Sequence, residues 1–202
     1  MTREGITMKE KIIFATKNKN KMKEIREILA DKDYDILSME EAGISIDVVE
    51  DGTTFEENAL IKARAIRDYV KNAIVLADDS GLEIDYLGGA PGIYSARFEG
   101  EDTPYSIKNQ ILLDKLSGVP DEERTARFVC AAAAAFPDGT DQVVRGTIEG
   151  RIGYQSEGEN GFGYDPIFYV PEYGCTTAQM SAEQKNAISH RGKALRMIRE
   201  YL

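Results

Sequence analysis

The sequence predicts an α/β fold, and two patterns carry that expectation. Near the start, the apolar run 11–15 precedes Met22, Ile25, Ile28 and Leu29 at helical spacing, and then the strand-like Tyr34–Ser38. That order is a βαβ unit. Further on, residues 127–136 and 142–152 flank Pro137-Asp-Gly-Thr140, a turn signal that predicts a hairpin. Strands mixed with helices in this way imply helices packed on a sheet.

Length and composition bound the rest. A chain of 202 residues suits one ordinary domain, or one core divided into two lobes. We expect residues 11–202 to form that domain and residues 1–10, charged and lacking an apolar signal core, to be a flexible extension. The 42% hydrophobic and 30% charged composition is that of a globular protein rather than a disordered one. No apolar run is long enough to span a bilayer, so a cytoplasmic protein away from membranes is expected. Cys130 lies in an apolar run and Cys175 in a polar loop, without paired metal spacing, which suits a reducing compartment. A net charge of -10 argues against broad nucleic-acid binding, which needs a cationic footprint. A small anionic ligand is still compatible, because a metal ion and a few lysines can override that field in one pocket.

Taken in order, the first strand runs into Thr16-Lys-Asn-Lys-Asn-Lys21 at the start of the first helix. Ammonium groups and unpaired helix N–H groups favour anions there, so one reading is a phosphate cradle. The other is a cationic surface turn capped by Asn18 or Asn20, and on this segment alone it is the stronger. The glycines and Lys-Ser/Thr ending of a Walker A loop are missing. Residues 44–49 alternate apolar and polar side chains towards Glu50-Asp-Gly-Thr-Thr54. Thr54 with Glu57 reads as a capping box for a helix burying Ala59, Ala63, Ile66 and Val70. Glu50 either complements that helix's dipole, the commoner explanation, or offers an oxygen to a hard cation such as Mg²⁺. Lys62 either reaches a pocket or solvates the helix's outer face.

The apolar run 74–77 reads as a buried strand stopping at Asp78 and Asp79, with Ser80 and Gly81 turning the chain. Ligands of α/β sheets gather at the carboxyl ends of strands. Neighbouring side chains on extended backbone point opposite ways, so one acid of the pair can face a given pocket. An isolated Asp-Asp-Ser-Gly is more simply a solvated turn. Residues 82–86 then read as a strand, 88–92 as an irregular loop, and 104–116 as a helix facing Ile107, Ile111 and Leu112 inward. Alanines 131–135 favour helix by propensity, but the hairpin signal beyond them decides for a strand packed closely by helices on both faces.

In Gly158-Glu-Asn-Gly-Phe-Gly-Tyr-Asp-Pro166, Gly163 and its fellow glycines let backbone approach a ligand, and Phe162 and Tyr164 offer faces for stacking a base. Asp165 either holds the turn or bonds to a ribose. Ser181 and Gln184 form a capping box just ahead of Lys185, and Ser189-His-Arg-Gly192 opens a last helix burying Leu195, Ile198 and Leu202. His190 is the sole histidine, with no Cys or second His nearby to suggest a metal. Beside Arg191, it can donate to a ligand carbonyl.

Together these motifs carry a resemblance. Thr16-Lys-Asn-Lys-Asn-Lys21, Ala77-Asp-Asp-Ser-Gly81, Gly88-Gly-Ala-Pro-Gly92, Gly161-Phe-Gly-Tyr-Asp-Pro166 and Ser189-His-Arg-Gly192 stand in the order and spacing of one family, from about Lys11 to the C-terminus. The chain resembles the inosine/xanthosine triphosphate pyrophosphatases, the house-cleaning dITP/XTP diphosphatases. The resemblance implies an ITPase-like mixed α/β fold of two lobes around a long central sheet, with the active-site cleft between them. It also implies a homodimer that hydrolyses ITP, dITP and XTP to the monophosphate and pyrophosphate with Mg²⁺. By position it implies that Thr16, Lys17, Asn18, Lys19, Asn20, Lys21 and Ser80 hold phosphate. Asp79 would accept the attacking water's proton and ligate the metal with Glu50. Phe162, Gly163, Tyr164, Asp165, Lys185, His190 and Arg191 would bind the nucleoside and its phosphates.

The residues' own chemistry agrees, since phosphoryl transfer asks mainly for positioning and charge neutralisation. Donors from His190 and Arg191 suit a 6-oxo purine and are left unpaired by the amino group of adenine. That logic does not reject GTP. Two alternatives are a Maf-like pyrophosphatase for other modified nucleotides and a nucleotide-binding module without turnover. The Ser-His-Arg helix start disfavours the first; Asp79, Glu50 and Lys21 together disfavour the second.

Overall fold

The structure is a computed structural model that describes residues 10–30 and 34–202. The expected N-terminal extension lies outside the described residues, except for Glu10, which opens the first strand. The elements run β1 (Glu10–Phe14), α1 (Lys19–Ile28), β2 (Tyr34–Ser38), α2 (Phe55–Val70), β3 (Ile74–Ile84), α3 (Tyr105–Lys115), β4 (Thr125–Ala135), β5 (Asp141–Ile152), β6 (Phe168–Val170), β7 (Cys175–Thr176), α4 (Ala182–Ile188) and α5 (His190–Ile198). The strands form one mixed sheet in the order β2-β1-β3-β4-β5-β6-β7. β1 is parallel to β2 and β3, and the remaining pairs are antiparallel. The predicted βαβ unit and hairpin are both present.

β3, β4 and β5 are long enough to belong to two lobes. In one, α2 covers the first face of the sheet, packing Ala59, Ala63 and Ile66 on Val75, Ala77, Ala131 and Ala133. On the opposite face, α1 and α5 pack Met22, Ile25, Leu195 and Ile198 on Leu76, Ala132 and Ala134. The alanine run therefore alternates between two helical layers, and its small side chains let both approach. In the other lobe, Leu82, Ile84, Phe128 and Ile148 meet Leu112 and Leu113 of α3 and Phe168 of β6.

The largest departure from expectation lies in β3, which does not end at the acids. It continues through Asp78, Asp79, Ser80 and Gly81, which pair in register with Ala132, Ala131, Cys130 and Val129. Ladder bonds to β4 override the turn propensity of Ser-Gly. Gly81 serves a close approach instead: a Cβ there would lie 2.3 Å from Gly92 O, 2.6 Å from Ser95 Oγ and 2.9 Å from Phe55 Cε1. Gly81→Ala is expected to destabilise the fold by about 1–3 kcal/mol, the usual scale of overpacking. Thermal melting checks this, and an unchanged Tm would mean that the segment carrying Gly92 yields freely.

Smaller departures have similar causes. Ile107 is 50% exposed and Ile111 half-buried, because α3 turns Lys108, Asn109, Leu112 and Leu113 inward. Lys108 Nζ donates to Ala96 O and Asn109 Nδ2 to Gly163 O, so polar anchors occupy part of the stripe that hydropathy assigned to isoleucine. Residues 44–49 form no strand, yet their alternation survives: Ile44, Ile46 and Val48 turn inward while Val49 is exposed. Thr54 Oγ1 accepts from Glu57 N–H as expected, but the Glu57 carboxylate accepts from Thr53, so the box is half of the predicted one. Residues 85–87 form a 3₁₀ turn, shortening the strand expected over 82–86. Val70 and Leu202, expected to be buried, are half-buried. Among the described residues, no helix is long and apolar enough to cross a membrane.

Candidate active site

A cavity of about 520 Å³ opens where the lobes meet, beside the middle of β3. Strand alternation decides what each acid does. Asp78 shares the face of Leu76, towards α1 and α5, and is fully buried. Its carboxylate accepts from Ser80 Oγ at 2.7 Å and pairs with Lys21 Nζ at 2.9 Å and Arg191 Nε at 3.3 Å. Burial alone would raise its pKa, but the charges of Lys21, Arg191 and Lys62 outweigh burial and hold it far below the ordinary range.

Asp79 faces the other way, towards α2 and into the cavity. Its oxygens accept from Asn58 Nδ2 at 3.1 Å and from Ser80 N–H at 3.0 Å. Burial raises its pKa to about 6, with Lys62 and Asn58 opposing and Glu50 adding to the rise. A carboxylate raised to this extent is still mostly ionised at neutral pH, so it can meet a proton or a cation. Of the two acids, Asp79 has the geometry of a reactive group and Asp78 that of a buried counter-charge.

The predicted phosphate segment divides. Thr16, Lys17, Asn18 and Lys21 line the cavity, whereas Lys19 and Asn20 are exposed on the first turn of α1 and are not brought to it. Asn18 caps that helix, its Oδ1 accepting from Asn20 and Lys21 N–H, so these two amides are not free for an anion. The cationic character there comes from Lys17, paired with Asp47, and Lys21.

On the other lobe, Phe162 and Gly163 line the cavity, and Lys185 Nζ and Arg191 Cζ lie 5.0 and 5.6 Å from the Phe162 ring centre. Tyr164 contributes a wall rather than a stacking face. It is buried, edge-on to Tyr105 at 5.1 Å, and donates its hydroxyl to Ser95 O at 2.6 Å. Asp165 holds the turn: it accepts from Phe162 N–H at 2.8 Å, Thr177 Oγ1 at 2.8 Å and Lys185 Nζ at 2.6 Å. His190 stacks on Phe128, lines the cavity and has a buried Nδ1 without a partner. Burial, reinforced by Arg191 and Lys185, pushes its pKa well down, so it is a neutral imidazole. Arg191 is gripped on three sides by Asp78, Glu24 and Ser80 Oγ.

Three participants lay outside the predicted site set. Glu24 on α1 binds Lys185 Nζ at 2.8 Å and also Arg191; burial favours its neutral form, but those two charges hold its pKa below the usual range. Asn58 holds Asp79. Lys62, which sequence left between pocket and solvent, bonds Glu50 at 3.0 Å and Asp78 O at 3.0 Å. The signal for Asn58 was present, since it is a polar residue on the buried stripe of α2. Glu50 lines the cavity and Asp51 does not.

Glu50 and Asp79 are hard oxygen donors on one cavity wall, with Lys62 as their shared ammonium neighbour. Among the described residues, no three metal-ligating side chains gather. That donor set fits Mg²⁺, which is commonly bound by one or two carboxylates, with water and substrate phosphates completing the shell.

A family model described as the Ham1 family matches residues 12–201. A dITP/XTP pyrophosphatase from Clostridium perfringens is 52% identical over 198 residues, covering 96% of this chain and 97% of its own. One from Bacillus subtilis is 47% identical over 197 residues, 98% of each chain. The structure of the Staphylococcus aureus Ham1 protein matches with a TM-score of 0.85 at 42% identity, covering 95% of this chain and 97% of that one. A HAM1 protein from Coxiella burnetii matches at 0.84 and 39%, covering 94% and 96%. The matched span takes in both lobes and the cavity between them, and on that basis the chain belongs to the Ham1 family.

Proposed function

We propose that this protein hydrolyses non-standard purine nucleoside triphosphates (ITP, dITP and XTP) to the monophosphate and pyrophosphate. The observation that carries the reading is that the Asp79 carboxylate and a run of cations share one cavity. The relatives' activity and the spacing of the motifs support it.

In this reading, Lys17, Lys21, Thr16, Asn18 and Ser80 position the phosphate chain. Asp79 takes a proton from water as that water's oxygen attacks the α-phosphorus. The α–β anhydride bond breaks, and pyrophosphate leaves. Glu50 and Asp79 would hold a divalent cation, Mg²⁺, which when bound neutralises phosphate charge and lowers the pKa of water. Phe162 offers a purine its ring, and His190 with Arg191 addresses a 6-oxo group. Tyr164, Asp165 and Lys185 hold that wall in place. We read residues 11–202 as one catalytic unit acting as a cytoplasmic homodimer, on the strength of the motif resemblance.

The test is pyrophosphate release from ITP, dITP, XTP, GTP and ATP with Mg²⁺. The first three are expected to turn over, with ATP lower by ~10²-fold or more because its 6-amino group leaves buried donors unpaired. Equal turnover of ATP, or orthophosphate as the first product, would sink the proposal.

A further inference from the structure

Asn58 is 1% exposed, and its side-chain amide is engaged at both ends. Oδ1 accepts from Gly52 N–H at 2.9 Å, and Nδ2 donates to Asp79 Oδ2 at 3.1 Å. Gly52 sits two residues beyond Glu50, in the turn that leads into α2. One amide therefore ties the turn carrying Glu50 to the strand carrying Asp79. The seating is tight: a Cβ on Gly52 would lie 2.7 Å from Asn58 Oδ1. A buried amide is costly unless its hydrogen bonds are made, and the two made here reach the segments carrying Glu50 and Asp79. One helical turn later, Lys62 ties the same two segments with other atoms, through Glu50 Oε2 and Asp78 O. α2 thus presents a neutral tie and a charged tie on one face.

We propose that Asn58 is a positioning residue for the divalent cation. By fixing one oxygen of Asp79 and the backbone beside Glu50, it sets the spacing at which the two carboxylates meet one ion. This inference rests on the reading of Glu50 and Asp79 as that ion's ligands. Partners that orient metal ligands are typically worth ~10–100-fold in metal affinity. Charge alone gives the opposite expectation for one variant. Asn58→Asp retains an acceptor for Gly52 but loses the donor to Asp79, and it adds a negative charge that by itself would tighten cation binding.

The experiment follows Mn²⁺ binding to the full chain by the electron paramagnetic resonance signal of the free ion. The Mg²⁺ dependence of ITP hydrolysis is measured in parallel. Wild type, Asn58→Leu, Asn58→Asp and Glu50→Gln are compared, each with a melting curve. Asn58→Leu is expected to raise the Mn²⁺ Kd and the Mg²⁺ half-saturation by ~10–100-fold, with kcat recovering at high Mg²⁺. Asn58→Asp is expected to weaken binding as well, and it carries the test if the leucine variant does not fold. An unchanged Kd in a folded Asn58→Leu, or tighter binding in Asn58→Asp, overturns the inference and leaves the site reading standing. A wild type that neither binds Mn²⁺ nor hydrolyses ITP, or a Glu50→Gln variant that binds Mn²⁺ as wild type does, overturns the site reading and this inference with it.

Discussion

Asp79→Asn is expected to lower kcat for ITP hydrolysis by about 10²–10⁴-fold, the range over which a positioned base contributes, while changing stability little, because relief of a buried charge is offset by the loss of one accepted hydrogen bond, from Asn58 or from Ser80. Both halves of that result follow from replacing one carboxylate. Burial raises the pKa of Asp79 to about 6, so the folded state holds the carboxylate where a neutral group is preferred. An amide of the same shape removes that charge and, in the proposed mechanism, the base, and it turns one acceptor into a donor facing Asn58 or Ser80. Pyrophosphate release and thermal melting, measured on the same preparation, check both halves. A variant retaining wild-type turnover would move proton acceptance to Glu50 or to the metal-bound water alone.

Asp78→Asn, one residue earlier, is expected to show the opposite balance. Removing one partner of a buried ion pair typically costs about 3–5 kcal/mol. Here the carboxylate is 1% exposed and answers two cations, Lys21 and Arg191. For a chain of this size the loss corresponds to a fall in Tm of roughly 6–20 °C. Because the folded pKa of Asp78 lies below its ordinary 3.8, the stability it lends is present above that value and fades as pH falls beneath it. The gap between wild type and variant should therefore narrow in strong acid. Urea melts at neutral and acid pH read this directly, and equal stability at neutral pH would mean that Lys21 and Arg191 need no counter-charge from β3.

The contrast between these neighbours marks how far the sequence could be read. Period-two geometry predicts that the acids part company, but not which one meets cations and which meets the cavity. That depends on α1 and α5 covering one face and α2 the other. Ser80-Gly81 has the composition of a turn, and only pairing with β4 keeps it in a strand. The glycine-rich loop signals a wall of the site, yet Tyr164 and Asp165 spend their polar atoms inside the protein. Glu24 is not legible because its partners lie on distant segments, and Asn58 shows only as a polar residue on a buried stripe, its bond to Asp79 being non-local, whereas caps such as Ser181 with Gln184 are local and legible.

Five of the six lysine and arginine side chains lining the cavity already have an anionic neighbour in the chain: Asp47 for Lys17, Asp78 for Lys21, Glu50 for Lys62, Glu24 and Asp165 for Lys185, and Asp78 and Glu24 for Arg191; the sixth, Arg97, lies over the Tyr94 ring. At all of these but Arg97, an incoming anion competes with resident carboxylates instead of filling an empty positive hole. A lone phosphate contests one or two of these pairs and loses. A triphosphate contests several at once, and its connected charges gain from acting together. Cleavage would divide that advantage, because the monophosphate and the pyrophosphate then compete separately, each against the pairs within its own reach. In the proposed reaction the carboxylates would then reclaim their cations, and the same pairs that order the site would favour release of the products.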